Sequence, residues 1–117
     1  LRAAAGAALT RAFFLAALGR DRHDPAALVS YLVKAWPLLY AGCGDLVIAE
    51  REPTSLRLLQ GPTPVALRRQ ATVLPLVGAF AAIPVHCGLE GDAEAEWSET
   101  SEWFRYRILW EPPPGRR

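Results

Sequence analysis

From Glu102 to Trp110 the chain reads Glu-Trp-Phe-Arg-Tyr-Arg-Ile-Leu-Trp, with Phe104, Tyr106, Ile108 and Trp110 on one parity. Successive side chains of a strand point to opposite faces, so this spacing requires a strand with one buried face. A buried face needs a covering layer. The covering layer is written twice, as an apolar helical run with a proline near its middle followed by strand-like alternation, over 25–60 and again over 64–110.

Local signals place the elements. Leu9, Ala12, Phe13, Ala16 and Ala17 recur at helical spacing within residues 1–19, and Gly19 offers a stop. Asp24-Pro25 is a cap followed by proline at the first helical position. The helix that follows presents Leu28, Tyr31, Leu32, Ala35, Trp36 and Leu39 on one face, is bent or ended by Pro37, and stops at Gly42-Cys43-Gly44. Leu46, Ile48, Leu56 and Leu58 predict a hairpin of strands 45–51 and 55–60 around Glu52-Pro53-Thr54. Thr63-Pro64 repeats the cap-then-proline signal and predicts a helix over 65–82, which Pro84 should terminate. Ile83, Val85, Cys87 and Leu89 then alternate as a third strand, 91–101 reads as an acidic loop, and 102–110 is the fourth strand.

The expected fold class is therefore α+β: an antiparallel sheet of about four strands with two to three helices on one face. At 117 residues, residues 1–111 make one domain, and Pro112-Pro113-Pro114 opens a proline-rich linker or tail over 112–117. The chain lacks methionine altogether, which suits a domain cut from a longer protein or a processed chain.

Charge narrows the function classes. The net charge of +1 provides no field for nucleic acid or an anionic membrane. Every basic residue except Lys34 is arginine, a bias that fits a GC-rich coding genome. The uncharged run from Ala71 to Leu89 approaches a bilayer span in length, but Pro75, Gly78, Pro84 and His86 favour a buried helix running into a strand. Two cysteines, Cys43 and Cys87, without a C-x-x-C pair or a signal peptide, make a reducing cytoplasm the default.

No catalytic constellation, metal set or cofactor loop emerges. His86 and Cys87 are neighbours on the expected strand and would face opposite ways, so they could not chelate one ion. The acidic residues Glu90, Asp92, Glu94, Glu96, Glu99 and Glu102 lack calcium-loop spacing and read as a solvated loop or a docking surface for a basic partner. Trp36 and Trp110 are assigned to the core. Trp97 in the acidic loop and Trp103 on the outer parity are candidates to meet a partner, or else to be covered by the chain itself. Arg105 and Arg107 share the Trp103 face and should pair with Glu90 or the acidic run across the hairpin. These four residues form the candidate partner-binding set.

The order helix, hairpin, helix, hairpin, with Gly44-Asp45-Leu46-Val47-Ile48 opening the first strand and Tyr106 and Trp110 closing the last, resembles a paralogous family of GC-rich soil bacteria. More remotely it is similar to haem nitric-oxide-binding, vinyl-reductase-type hydrocarbon-binding and TRAPP-like domains. The resemblance covers residues 13–110 and implies either a sensor of small apolar ligands or an assembly subunit. Haem-binding members carry a Tyr-x-Ser-x-Arg motif. This chain has Pro53-Thr54-Ser55-Leu56-Arg57 there, with proline in place of the tyrosine, so haem is not expected. Cys43 and Cys87 do not reproduce the cysteine pattern of the vinyl-reductase type.

The leading expectation is a non-catalytic regulatory or interaction module of a larger signalling protein, recruiting a partner or self-associating. The alternative is a sensor holding a small apolar ligand between helices and sheet.

Overall fold

A computed structural model of the chain describes residues 24–112. The helical pattern expected over 1–19, His23 and most of the proline-rich tail lie outside the described residues. Helix α1 spans Pro25–Leu39, strand β1 Asp45–Glu52, strand β2 Ser55–Gly61, helix α2 Gln70–His86, strand β3 Gly91–Glu96 and strand β4 Phe104–Trp110.

The Asp24 carboxylate accepts the Ala26 N–H at 3.0 Å and Pro25 occupies the first turn, so α1 starts where its cap signal puts it. Leu28, Val29, Leu32 and Trp36 are buried, while Tyr31 and Leu39 pack at the margin of the core. Pro37 falls in the last turn, and the helix ends two residues later.

All strand pairs are antiparallel, in the order β1-β2-β4-β3. Register explains the core. Ile48, Leu58, Tyr106 and Ala95 form one cross-strand row, and Leu56, Ile108 and Ala93 the next. Both helices lie on that face. Phe80 of α2 meets Tyr106 edge-on at 4.8 Å, and Arg51 Nη2 donates to Ser30 Oγ of α1 at 2.9 Å. At one end of the core, Tyr106 Oη donates to Gln60 Oε1 at 2.7 Å and Gln60 Nε2 donates to the Cys43 carbonyl at 3.0 Å. Gln60 is fully buried, and these bonds satisfy its polar atoms without water.

The second helix–hairpin unit differs from expectation in three places. Thr63 caps no helix: Val65–Leu67 is a short 3₁₀ turn, Thr63 Oγ1 is buried with no partner among the described residues, and α2 begins only at Gln70. Residues 83–89 are not a strand. The helix runs through Pro84 to His86, burying Ile83 and Cys87 one turn apart and leaving Val85 exposed. A proline removes one N–H and does not stop a helix already packed by its other side chains. The stop is Gly88 at φ +77°, with the Leu89 N–H bonded to the Pro84 carbonyl at 2.9 Å. His86 thus closes a helix instead of lying on a strand. Finally, the supposed acidic loop contains the edge strand β3. Ala93 and Ala95 face the core while Asp92, Glu94 and Glu96 face water, a charged edge that discourages further strand pairing. Trp110, at the end of β4, packs half-buried against the core, as its parity predicts.

Cys43 and Cys87 are not joined in a disulfide. Burial, with the Asp24 carboxylate adding to it, pushes the Cys87 thiol up from 9.0 to about 11. Burial chiefly, then Cys43 and Tyr40, pushes the Tyr106 phenol above its usual 10.0. The unfolded chain loses these protons first and so binds fewer than the folded chain above pH 9. The stability these two groups contribute is therefore fully present below about pH 9 and is lost as pH rises towards 11. Melting temperature should stay level up to that point and then fall, less steeply in Cys87→Ala than in the parent. Parallel falls in the two proteins would show that Cys87 does not contribute.

Candidate functional site

The helices cover one face of the sheet, and among the described residues nothing covers the opposite face. Its rows follow from the same register. Val47, Leu59, Arg105 and Glu96 make one, and Glu50, Arg57, Arg107 and Glu94 the next. Arg105 pairs with Glu96 at 3.6 Å, Arg107 with Glu94 at 3.7 Å and Arg57 with Glu50 at 3.6 Å. The cross-strand partners expected for Arg105 and Arg107 are therefore acidic residues of β3. These are solvated pairs worth about 0–1 kcal/mol each, weak enough to exchange for a partner's charges. Arg107 Nε is covered and has no hydrogen-bond acceptor among the described residues.

Trp103 is 43 % exposed at the edge of this face. Its indole lies over Gly61, where an added Cβ would come within 2.8 Å of ring carbon Cε3. A glycine is needed there because any side chain would lift the ring off the sheet. Ser101 fixes the backbone beneath the ring: its Oγ accepts the Trp103 N–H at 3.2 Å and donates to the Trp103 carbonyl at 3.0 Å. The Thr63 N–H donates to the Glu102 carbonyl at 2.8 Å and ties the same loop to the end of β2.

Trp97 behaves differently. It is half-buried and meets Phe104 edge-on at 6.0 Å, so one side of its ring belongs to the core. Its other side joins Trp103, Leu59, Arg105 and Glu96 in lining a shallow groove of about 540 Å³. A second groove, over Arg57, Arg105 and Arg107, continues across the sheet. The fold thus brings Trp97, Trp103 and Arg105 together and puts Arg107 one row further on. Leu59 and Gly61 belong to the same surface and were not singled out from the sequence, and Arg57, named there only as the counterpart of a motif arginine, joins them. Leu59 carried a signal, since it breaks the parity of Leu56 and Leu58 with a second apolar side chain.

Among the described residues, no group of three or more His, Cys, Asp or Glu side chains comes together as a metal site would need. No helix among them is long and apolar enough to cross a membrane.

The class of fold is shared with known proteins. A solved H-NOX protein from K. algicida, in an Fe(II) unliganded state, superposes with a TM-score of 0.60 at 13% identity, covering 96% of this chain and 64% of its own. A trafficking protein particle complex subunit 3 from Naegleria fowleri, covalently bound to palmitic acid, superposes with a TM-score of 0.57 at 9% identity, covering 92% of this chain and 74% of its own. This chain thus spans less than two-thirds of that H-NOX protein. No protein-family model and no curated protein sequence matches the chain. At these identities the fold is what is shared, and it is the remote likeness to haem nitric-oxide-binding and TRAPP-like domains expected from the element order.

Haem does not fit the residues present. Arg57, the counterpart of the motif arginine, lies on the open face with Glu50, away from the layer between helices and sheet. Ser55 Oγ is bonded to Glu52 at 3.2 Å, and proline stands at the tyrosine position.

Proposed function

We propose that this chain is a non-catalytic regulatory module of a larger bacterial signalling protein, working in the cytoplasm and recruiting a protein partner through the open face of its sheet. One observation carries the reading: Trp103 is held half-exposed by Gly61 and Ser101, at the mouth of a groove shared with Trp97, Leu59 and Arg105. A large aromatic fixed by its neighbours loses little entropy on binding, and tryptophan beside arginine is the composition of binding hot spots. The weak Arg–Glu pairs around it can release their charges to a partner without leaving a buried ion behind.

The test compares proteins co-purified with the wild-type chain and with Trp103→Ala. A partner held by the former should bind the latter at least tenfold more weakly, about 1.4 kcal/mol or more. Melting temperature should change little, because the ring packs on Gly61 at the rim of the sheet and is not part of the buried core. Equal retention by both proteins would sink the assignment.

A second reading draws on the neighbours, one bound to palmitic acid and one an iron-containing H-NOX protein. In it the chain senses a small apolar ligand held between helices and sheet. Trp36, Phe80, Phe104 and Tyr106 already fill much of that layer, which favours the first reading. Native mass spectrometry of freshly purified protein separates the two. A co-purified apolar species that raises the melting temperature would support the sensor.

A further inference from the structure

Helix α2 has no charged residue from Gln70 to His86, and a helix apolar on all sides is normally buried on all sides. Among the described residues only one side of α2 is covered, by way of Thr72, Val73, Leu76, Phe80 and Ile83. Ala71, Leu74, Gly78 and Val85 form an exposed stripe on the opposite side, with Leu74 57% and Val85 62% exposed. Gly78 sits at the centre of that stripe. Glycine in a helix interior costs about 1 kcal/mol relative to alanine. Packing among the described residues does not explain it, because a Cβ on Gly78 would meet nothing of theirs within 4 Å. By contrast, Gly44, Gly61 and Gly91 are each crowded by their own chain.

We infer that the outer stripe of α2 is a homodimer interface, in which α2 pairs antiparallel with α2 of a second copy across a two-fold axis at Gly78. The stripe is self-complementary about that point. Ala71 and Val85 are equally distant from Gly78 on either side, as are Leu74 and Ala82, so the two-fold sets each large side chain against a small one and glycine against glycine. Charge selects the same arrangement. The uncharged run is bounded by exposed Arg69 before the helix and exposed Glu90 after it. Antiparallel pairing brings each arginine towards the partner's glutamate and towards the negative end of the partner helix, whereas parallel pairing would bring like charges together. This surface lies on the side of the molecule opposite Trp103, so it stands independently of the partner-binding reading.

Light scattering across a concentration series should give twice the 12.8 kDa chain mass. Leu74→Glu should raise the dimer dissociation constant about tenfold or more while the chain stays folded. Arg69→Glu and Glu90→Arg should each weaken the dimer, and the double reversal should restore it. Gly78→Cys, in a Cys43→Ser background, should form a disulfide-linked dimer under mild oxidation well before Val65→Cys does. A monomeric parent protein would overturn the proposal, and so would a double reversal that restores nothing. A Leu74→Glu chain that unfolds would also count against it, by showing that the stripe is covered within one chain. Loss of dimer in Trp103→Ala but not in Leu74→Glu would move the interface to the sheet.

Discussion

Trp36→Ala is expected to cost about 3–5 kcal/mol, enough to leave a domain of this size close to its unfolding threshold. Trp36 is fully buried, stacks on Tyr40 at 4.4 Å and donates its indole N–H to the Gly44 carbonyl at 2.9 Å. Alanine would remove the packing of α1 on the sheet and strand a carbonyl in the turn that leads into β1. Trp36→Phe separates the two effects. It keeps most of the ring volume, so its loss should be the smaller one of an unpaired carbonyl, about 1–3 kcal/mol. Urea denaturation of the three proteins measures the ladder. Equal midpoints for Trp36→Phe and the parent would mean that the Gly44 bond contributes nothing.

The second large effect is Gly44→Ala. Gly44 has φ +74°, and an added Cβ would lie 2.6 Å from the Gly61 carbonyl carbon and 2.7 Å from the Pro62 carbonyl oxygen. Both neighbours are backbone, so no side chain can swing aside. The end of β2 would have to move, and with it Trp103 above Gly61. Gly88→Ala is the matched control, since Gly88 has φ +77° but nothing within 4 Å of the added atom. It should cost only the left-handed strain of about 1–2 kcal/mol. Gly44→Ala should cost that plus the steric term, about 3 kcal/mol or more in all, and should alter Trp103 fluorescence. Equal losses in the two variants would show that the Gly44 turn yields easily.

Much of the fold was legible because its signals are local. Asp24-Pro25 announced α1, the parity of Leu46, Leu56, Leu58, Phe104, Tyr106 and Ile108 announced three strands, and Pro53-Thr54 announced their first turn. The misreadings share a cause. Ile83, Val85, Cys87 and Leu89 alternate, but Ile83 and Cys87 are also one helical turn apart, and periodicity over so few residues does not separate the two. Pro84 tipped the reading towards strand. In the folded chain its ring packs instead against Gly91, where a Cβ would come within 2.6 Å of Pro84 Cβ. Strand β3 was hidden because its inward residues are alanines, which carry little of the hydrophobic contrast by which a strand is recognised.

The candidate site divides in the same way. Trp103, Arg105 and Arg107 could be placed on one face from parity alone, because alternation is a property of the backbone. That Trp97 shares their groove while its other side packs on Phe104 depends on a loop whose path no local rule dictates. The α+β class, the first hairpin and the inward and outward faces of β4 follow from side-chain period and cap chemistry within a few residues, and so could be read from the amino acids alone. The β1-β2-β4-β3 order, the helical state of residues 83–86 and the union of Leu59, Gly61 and Trp103 into one surface became visible only in the folded chain. Those features arise from contacts between residues far apart in the chain, where packing outweighs local propensities of a few tenths of a kcal/mol.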